Sequence, residues 1–385
     1  MNLYTSILKN LFFTGPTSIS ELSECVGKSI PITTKGIKDL VKKNFITNIG
    51  LNESTGGRKA YIYKLNKDKM GFILSIAMER KQTVLNVFNT DKEKICDSVY
   101  INTTLKEDIK LSSEIILNVE KLLAEHNKDN FLAIGIVTPG FVDVHHKINT
   151  SYQSTSPLYN ISQTIQRKFG ISTFIENDSS AIAIVEKYFG KAQSSSDTLV
   201  FNLTWGVGLG ILVDSKLFRG HRGYAGEFSH IPLGDETKLC QCGKKGCLEV
   251  EASLQSAIDF IQESISNGEI SILKNTEEEI TFEQLLDAYK HGDQLTIKAI
   301  QNIAHMLGKG IATLIHILNP ETIIIAGKGI PFSDILKSEI NSSIQLYCIP
   351  RLAEQTKIEI SELEDILPLA ATSIALEQID RIQTS

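Results

Sequence analysis

The chain has 385 residues, 42% hydrophobic and 22% charged, with a formal net charge of −6. That composition suits a globular protein with room for two or three domains, and it excludes fibrous, disordered and disulfide-stapled classes. No apolar run reaches membrane-spanning length, and Met1 to Pro16 lacks the basic start and small-residue cleavage site of a signal peptide. The expectation is a cytoplasmic chain without membrane insertion.

The charge is unevenly spread. Residues 1–66 hold nine Lys and Arg against four acids, a net of +5, which leaves −11 on the remainder. A basic module on an acidic body suggests a polyanionic partner for the first part alone. Asn2 to Phe13 places Leu3, Ile7, Leu8 and Leu11 on one helical face, and Gly15-Pro16 ends it. Ser18 and Glu21 have capping-box spacing for a second helix, closed by a turn at Gly27. Ser29 is placed to cap a third helix beginning at Pro31. Its period turns Ile37, Leu40 and Val41 inward and Thr33, Thr34, Lys35 and Lys38 outward. Two β-rich runs, 45–50 and 60–65, flank a glycine-rich tip from Asn52 to Lys59. This is the layout of a winged helix-turn-helix over residues 1–66. The candidate DNA contacts are Ser29, Thr33, Thr34, Lys35 and Lys38 on the third helix and Gly57, Arg58 and Lys59 on the wing. Residues 67–70 read as a polar linker.

From 71 to 385, apolar strand-like runs alternate with amphipathic helices. Strands are expected at 72–77, 83–89, 131–137, 172–176, 198–203, 210–213 and 322–326, and helices at 113–126, 161–169, 181–189 and 301–318. That is α/β organisation, in two sheet-based lobes. Ligands of such folds sit beyond the carboxyl ends of strands. Thr138-Pro139-Gly140 and Asn177-Asp178 lie at two such ends. An Asn-Asp pair there suits hydrogen bonds to hydroxyls, with Asp able to act as a general base; helix capping by Asn177 is the other reading.

Of six cysteines, Cys25, Cys96 and Cys348 are scattered and are expected to be buried, reduced thiols. The other three, Cys240, Cys242 and Cys247, fall within eight residues, and His230 precedes the first by ten. Thiolates and imidazole are the ligands tetrahedral zinc prefers, and a closed set of three Cys and one His marks a structural site. Glu227 and Glu249 flank this knuckle.

Together these residues resemble the ROK family, which contains sugar-responsive repressors and sugar kinases. The resemblance runs over nearly the whole chain. It is carried by Gly56-Gly57-Arg58, Thr138-Pro139-Gly140, Glu176-Asn177-Asp178, the run from Ala225 to His230, and the Cys-x-Cys-Gly-x-x-Gly-Cys-x-Glu run from Cys240 to Glu249. It implies an α/β chain: the N-terminal winged helix-turn-helix followed by a two-lobed, actin-like (ribonuclease H-like) body over 71–385, with a zinc knuckle at 230–249. It implies one structural zinc per chain on His230, Cys240, Cys242 and Cys247. Sugar hydroxyls would meet Gly140, Asn177, Asp178, Glu227, His230 and Glu249, with His230 facing sugar through one ring nitrogen and zinc through the other.

Departures from the family separate repressor from kinase. ROK kinases carry Asp-x-Gly-Gly-Thr where this chain has Ala77-Met78-Glu79-Arg80-Lys81, and Gly-Thr-Gly where it has Thr204-Trp205-Gly206. Glycines let backbone amides approach phosphate, and Glu79 and Trp205 are expected to oppose or fill nucleotide space. Ala326-Gly327-Lys328-Gly329 keeps only part of a nucleotide-side turn. The expectation is therefore no enzyme and no ATP, with no catalytic residue and Asp178 left at the base position as a ligand contact. The resemblance implies a repressor of carbohydrate uptake or catabolism genes. It would bind operator DNA as a homodimer or dimer of dimers and be released by a sugar or sugar derivative. The alternative is an ATP-dependent sugar kinase with an added DNA-binding module.

Overall fold

Helix α1 (Leu3–Thr14) starts where the Asn2 side chain accepts the Tyr4 amide and stops at Gly15; it buries Ile7, Leu8, Leu11 and Phe12. The computed structural model describes residues 2–51, 60–102, 108–273, 280–380 and 382. Helix α2 (Ile19–Val26) has both halves of its capping box, Ser18 with Glu21. Helix α3 (Ile30–Lys42) follows after the left-handed Gly27. Strands β1 (Thr17–Ser18), β2 (Ile46–Leu51) and β3 (Tyr61–Leu65) pair antiparallel in the order β1-β3-β2. The expected winged helix-turn-helix therefore forms. The tip carrying Gly57, Arg58 and Lys59 lies outside the described residues. The expected linker is one helical turn, α4 (Lys67–Met70), with Met70 buried.

The chain continues through β4 (Phe72–Met78), β5 (Thr83–Phe88), β6 (Val99–Ile101), α5 (Asp108–Glu125) and β7 (Phe131–Thr138). A short hairpin, β8 (Val142–Asp143) and β9 (Ile148–Asn149), leads to α6 (Ile161–Phe169), β10 (Thr173–Asn177) and α7 (Asp178–Phe189). The sheet order is β6-β5-β4-β7-β10, with β4, β7 and β10 parallel and β5 and β6 antiparallel. Strands β4 and β7 are almost unbroken apolar runs because both faces of the sheet are covered. Leu74, Ile76, Ile134 and Ile136 pack with Leu111, Ile115 and Val119 of α5 and Ile165 of α6.

Residues 189–364 form a second unit. It contains β11 (Thr198–Leu203), β12 (Val207–Val213), β13 (Lys216–Leu217), α8 (Glu249–Ala252), α9 (Leu254–Ser266), α10 (Phe282–Lys290) and α11 (Gln294–Leu318). After these come β14 (Thr322–Ala326), α12 (Ser333–Tyr347), α13 (Pro350–Ala353) and β15 (Lys357–Ile360). The order β13-β12-β11-β14-β15 repeats the strand pattern of the first sheet: an antiparallel meander of three, then two parallel strands beside its first member. Its core joins Phe201, Leu203, Ile323 and Ile325 to Ile258, Leu307, Ile311 and Ile340 of the helices.

The last helix, α14 (Ile366–Gln378), returns to the first unit, which comprises residues 1–188 and 365–385. It lies on β4 and β7, where the Ser75 hydroxyl donates to the Pro368 carbonyl (2.9 Å). Helix α1 is fastened to the same unit. Lys9 Nζ donates to the Glu377 carbonyl (2.6 Å), the Ile382 amide to Thr5 Oγ1 (3.0 Å), and Lys92 Nζ to the Phe12 carbonyl (3.0 Å). The Phe13 ring stacks on Tyr188 with centroids 3.8 Å apart. Burial pushes the Lys9 ammonium pKa down, against the pull of Glu377 and Asp380, and raises the Tyr188 phenol to about 12. Among the described residues, no helix is long and apolar enough to cross a membrane.

Candidate functional site

In the second unit, a one-turn helix at Phe228–His230 and the knuckle that follows bring four ligand atoms together. His230 Nδ1 lies 3.7 Å from Cys240 Sγ, and Cys242 Sγ lies 3.6 Å from Cys247 Sγ. All four ligand atoms, from His230, Cys240, Cys242 and Cys247, fall within 4.8 Å of one another. A tetrahedral ion with bonds of about 2.0–2.3 Å needs ligand separations of about 3.5–3.8 Å, so donor set and spacing fit a bound metal. The knuckle closes through Gly243, whose amide donates to the Cys240 carbonyl (2.9 Å), and through the Cys240 amide, which donates to the Lys244 carbonyl (2.8 Å). Gly243 and Gly246 have φ of +85° and +74°, a region L side chains rarely enter. Cys247 and Cys240 are buried and Cys242 is exposed. Burial pushes the Cys247 thiol up to about 12 and raises Cys240, whereas the Lys244 backbone amide pulls Cys242 down.

The other face of His230 meets Glu227: Nε2 lies 3.6 Å from Oε2. The imidazole thus has a sulfur side and a carboxylate side, the carboxylate lying just beyond direct hydrogen-bond reach of Nε2. Glu249, first residue of α8, accepts the Val207 amide at 3.0 Å. It fits there because residue 206 is glycine: a Cβ at Gly206 would stand 2.6 Å from its Oε1.

In the first unit, β7 and β10 end side by side, with Thr138 opposite Asn177. Asn177 Nδ2 donates to the Gly140 carbonyl (3.0 Å), while its Oδ1 accepts the Ser179 and Ser180 amides and so caps α7. The capping reading of Asn177 holds, and its side-chain amide also orients the Gly140 loop. Asp178 accepts the Ser179 amide (2.8 Å) and hydroxyl (3.1 Å). Its carboxyl pKa is raised, first by burial, then by the nearby Glu79 carboxylate, outweighing the Ser179 bonds. Glu79 sits in the turn between β4 and β5, where its amide donates to the Gln82 carbonyl (2.7 Å).

Several expectations need correction. Thr33 is fully buried rather than outward, because Gly36 and Ile37 turn that face of α3 into the module. Thr34 is half-buried and its hydroxyl bonds back to the Ile30 carbonyl (2.7 Å). Ser29 occupies the N-cap position but makes no capping bond; it is exposed, as are Lys35 and Lys38. Cys25 is exposed and Cys96 half-buried; of the three scattered thiols, Cys348 alone is buried. Trp205, by contrast, is not corrected: it is partly buried and packs against the core of the second unit. Two residues of the first-unit site escape a reading of the sequence. Asn149, buried, donates to the Pro139 carbonyl (2.9 Å), and Ser151 Oγ accepts the Phe141 amide (2.8 Å). Nothing local marks them, since their partners are ten residues away.

A model described as the ROK family matches residues 73–374. A xylose repressor of Caldicellulosiruptor bescii is 29% identical over 93% of this chain and 91% of its own length. A solved ROK family transcriptional regulator, a homologue of the Escherichia coli MLC protein, covers 97% of this chain and 95% of its own at 25% identity and a TM-score of 0.79. A ROK family glucokinase of Streptomyces griseus, solved with glucose and AMPPNP, covers 80% of this chain and 100% of its own; at 19% identity and a TM-score of 0.66 it shows the fold alone.

Proposed function

The chain belongs to the ROK family, and from that premise we propose that it is a sugar-responsive transcriptional repressor that reads operator DNA through its winged helix-turn-helix. The observation that carries this is coverage. The similarity to a repressor and to a transcriptional regulator covers 93% and 97% of this chain, more than the body alone can supply, whereas the glucokinase covers 80%. The effector is a sugar or sugar derivative; Gly140, Asn177 and Asp178 are proposed as sugar contacts, and so, each on its own account, are Glu227, His230 and Glu249. The metal is zinc, structural, one per chain. The working form is a cytoplasmic homodimer, since paired half-sites match a two-fold protein.

Non-enzymatic action is supported by the β4–β5 turn. It has no glycine to admit phosphate, and Glu79 adds negative charge beside Asp178. Binding to the DNA upstream of the chain's own gene, at stated salt and with or without xylose, tests the main reading. A specific shift that sugar relieves is the expected result; no shift under any condition rejects it.

One observation favours the kinase reading: an Asp178 carboxyl with a raised pKa suits a general base. Sugar-dependent ATP turnover that disappears in Asp178→Asn would establish it. On the repressor reading, Asp178→Asn gives no change in a turnover that is absent. It weakens sugar binding by about tenfold to a hundredfold, as loss of a charged hydrogen-bond partner does. Because the folded-state pKa is raised, the ionised carboxylate costs stability once pH exceeds the unfolded-state pKa, and the cost is complete above the folded one. The sugar-free variant should therefore melt higher than the parent at neutral pH, and the two should converge in acid, below the unfolded-state pKa.

Zinc must displace protons from Cys240 and Cys247, whose thiols burial holds protonated. Its apparent affinity should rise with pH by about one decade per unit for each proton released. Competition with a chromophoric chelator at several pH values measures the slope, and a flat profile would remove the thiols from the ligand set.

A further inference from the structure

Two of the polar contacts expected of α3 are withdrawn in the structure: Thr33 is buried, and the Thr34 hydroxyl is spent on Ile30. What the first turn presents instead is Ile30 (56% exposed), Pro31 and Ile32 (50% exposed), with no acidic residue beside them. Acids or small polar residues stabilise an ordinary exposed N-terminal turn. Two β-branched aliphatics there gain nothing from water. Behind them, Lys35, Lys38 and Lys42 follow at helical spacing on the exposed side, and Lys28 precedes them. The helix is therefore apolar at its tip and cationic along its length. A major groove matches both: phosphates line its walls, and the thymine 5-methyl group is the apolar feature on its floor.

We propose that Ile30 and Ile32 are specificity-determining residues that read thymine methyl groups, while Lys35 and Lys38 hold the flanking phosphates. The proposal rests on the reading of this chain as a DNA-binding regulator. It predicts operator half-sites with one or two thymines at fixed positions under the tip of α3, discriminated by shape and methyl contact.

The full-length chain is used to enrich duplexes from a random-sequence pool, and each thymine of the enriched site is then replaced singly by deoxyuridine, which removes only the methyl. At one or two positions per half-site the affinity should fall about fourfold, the worth of one buried methyl. Ile30→Ala or Ile32→Ala should erase that sensitivity at its own position. Both side chains are exposed, so the variants fold, and unchanged melting checks this. Lys35→Ala should weaken all sequences alike and flatten the salt dependence. Enriched sites whose affinity ignores every deoxyuridine swap, or a methyl effect that survives in both isoleucine variants, overturn the inference and leave DNA binding intact. Failure to enrich any sequence overturns both.

Discussion

Replacing Cys247 by serine is expected to strip the metal from the chain and to remove the sugar response with it. Cys247 is fully buried, and its sulfur faces Cys242 at 3.6 Å and the His230 carbonyl at the same distance. A serine hydroxyl does not ionise near neutrality and is a poor ligand for a soft site. The three remaining donors would hold metal loosely or not at all. The stakes are high because metal binding in such knuckles contributes folding free energy directly, about 10–16 kcal/mol in small zinc peptides. A loss of only a few kcal/mol would lower the melting temperature by about 10 °C in a unit of this size. The expected readout is metal content falling from one per chain to none, together with lower melting and a repressor blind to sugar. The last follows because His230 loses its anchor on the Nδ1 side, so Nε2 no longer has a fixed bearing on Glu227. Cys25→Ser, at an exposed thiol far from the knuckle in sequence, is the control and should change none of these. A Cys247→Ser chain that keeps one metal ion would refute the ligand assignment.

The second large effect is Gly135→Ala. Gly135 lies mid-strand in β7, opposite Phe174 on one side and Ser75 on the other. A Cβ there would overlap the Ala371 carbonyl oxygen of α14 and stand 3.2 Å from the Ala375 methyl. Backbone in the middle of a helix cannot swing aside as a side chain can, so α14 must lift from the sheet. Overpacking of this kind costs about 1–3 kcal/mol, and more where backbone is the obstacle. The consequence should reach further than stability. Lifting α14 strains the contacts of Lys9 with Glu377 and of Thr5 with Ile382, which hold α1. Operator affinity should therefore fall by more than sugar affinity, measured by anisotropy and calorimetry on the same preparation. Equal loss of both, or neither, would mean that α14 does not seat the DNA-reading module.

How much of the fold is legible in the sequence depends on whether a segment has a period to read. Strands at 131–138, 198–203 and 322–326 are legible to within a residue, because a continuous apolar run of this length between polar turns suits a strand buried on both faces and little else. Helix α6 is legible to the residue, since Gly170 stops it. Helix α14 is not. Its sequence, Ile366 to Gln378, is apolar all round and carries Pro368 in its first turn, so no face stands out against a polar one. The short edge strands β6, β13 and β15 hide for a related reason, being too brief to show alternation. The metal cluster is readable because its donors crowd into one stretch. The Asn149 and Ser151 supports are not, because they act through a hairpin whose closure no local pattern announces. Thr33 misleads because it is polar: it lies four residues before Ile37 and seven before Leu40, on the face those two bury, and Gly36 beside it contributes no hydrophobic signal.

Helix α7 has its first residue, Asp178, among the polar groups at the end of β10, and near its last turn Tyr188 stacks on Phe13 of α1. Twelve residues make a rod about 18 Å long, too short to bend appreciably and buried along most of its sides. Such a rod transmits displacement rather than absorbing it. A displacement imposed at the Asp178 end would be carried along the helix toward the Phe13–Tyr188 contact. Helix α7 thus joins the proposed sugar contact at Asp178 to the packing of α1 through one continuous element.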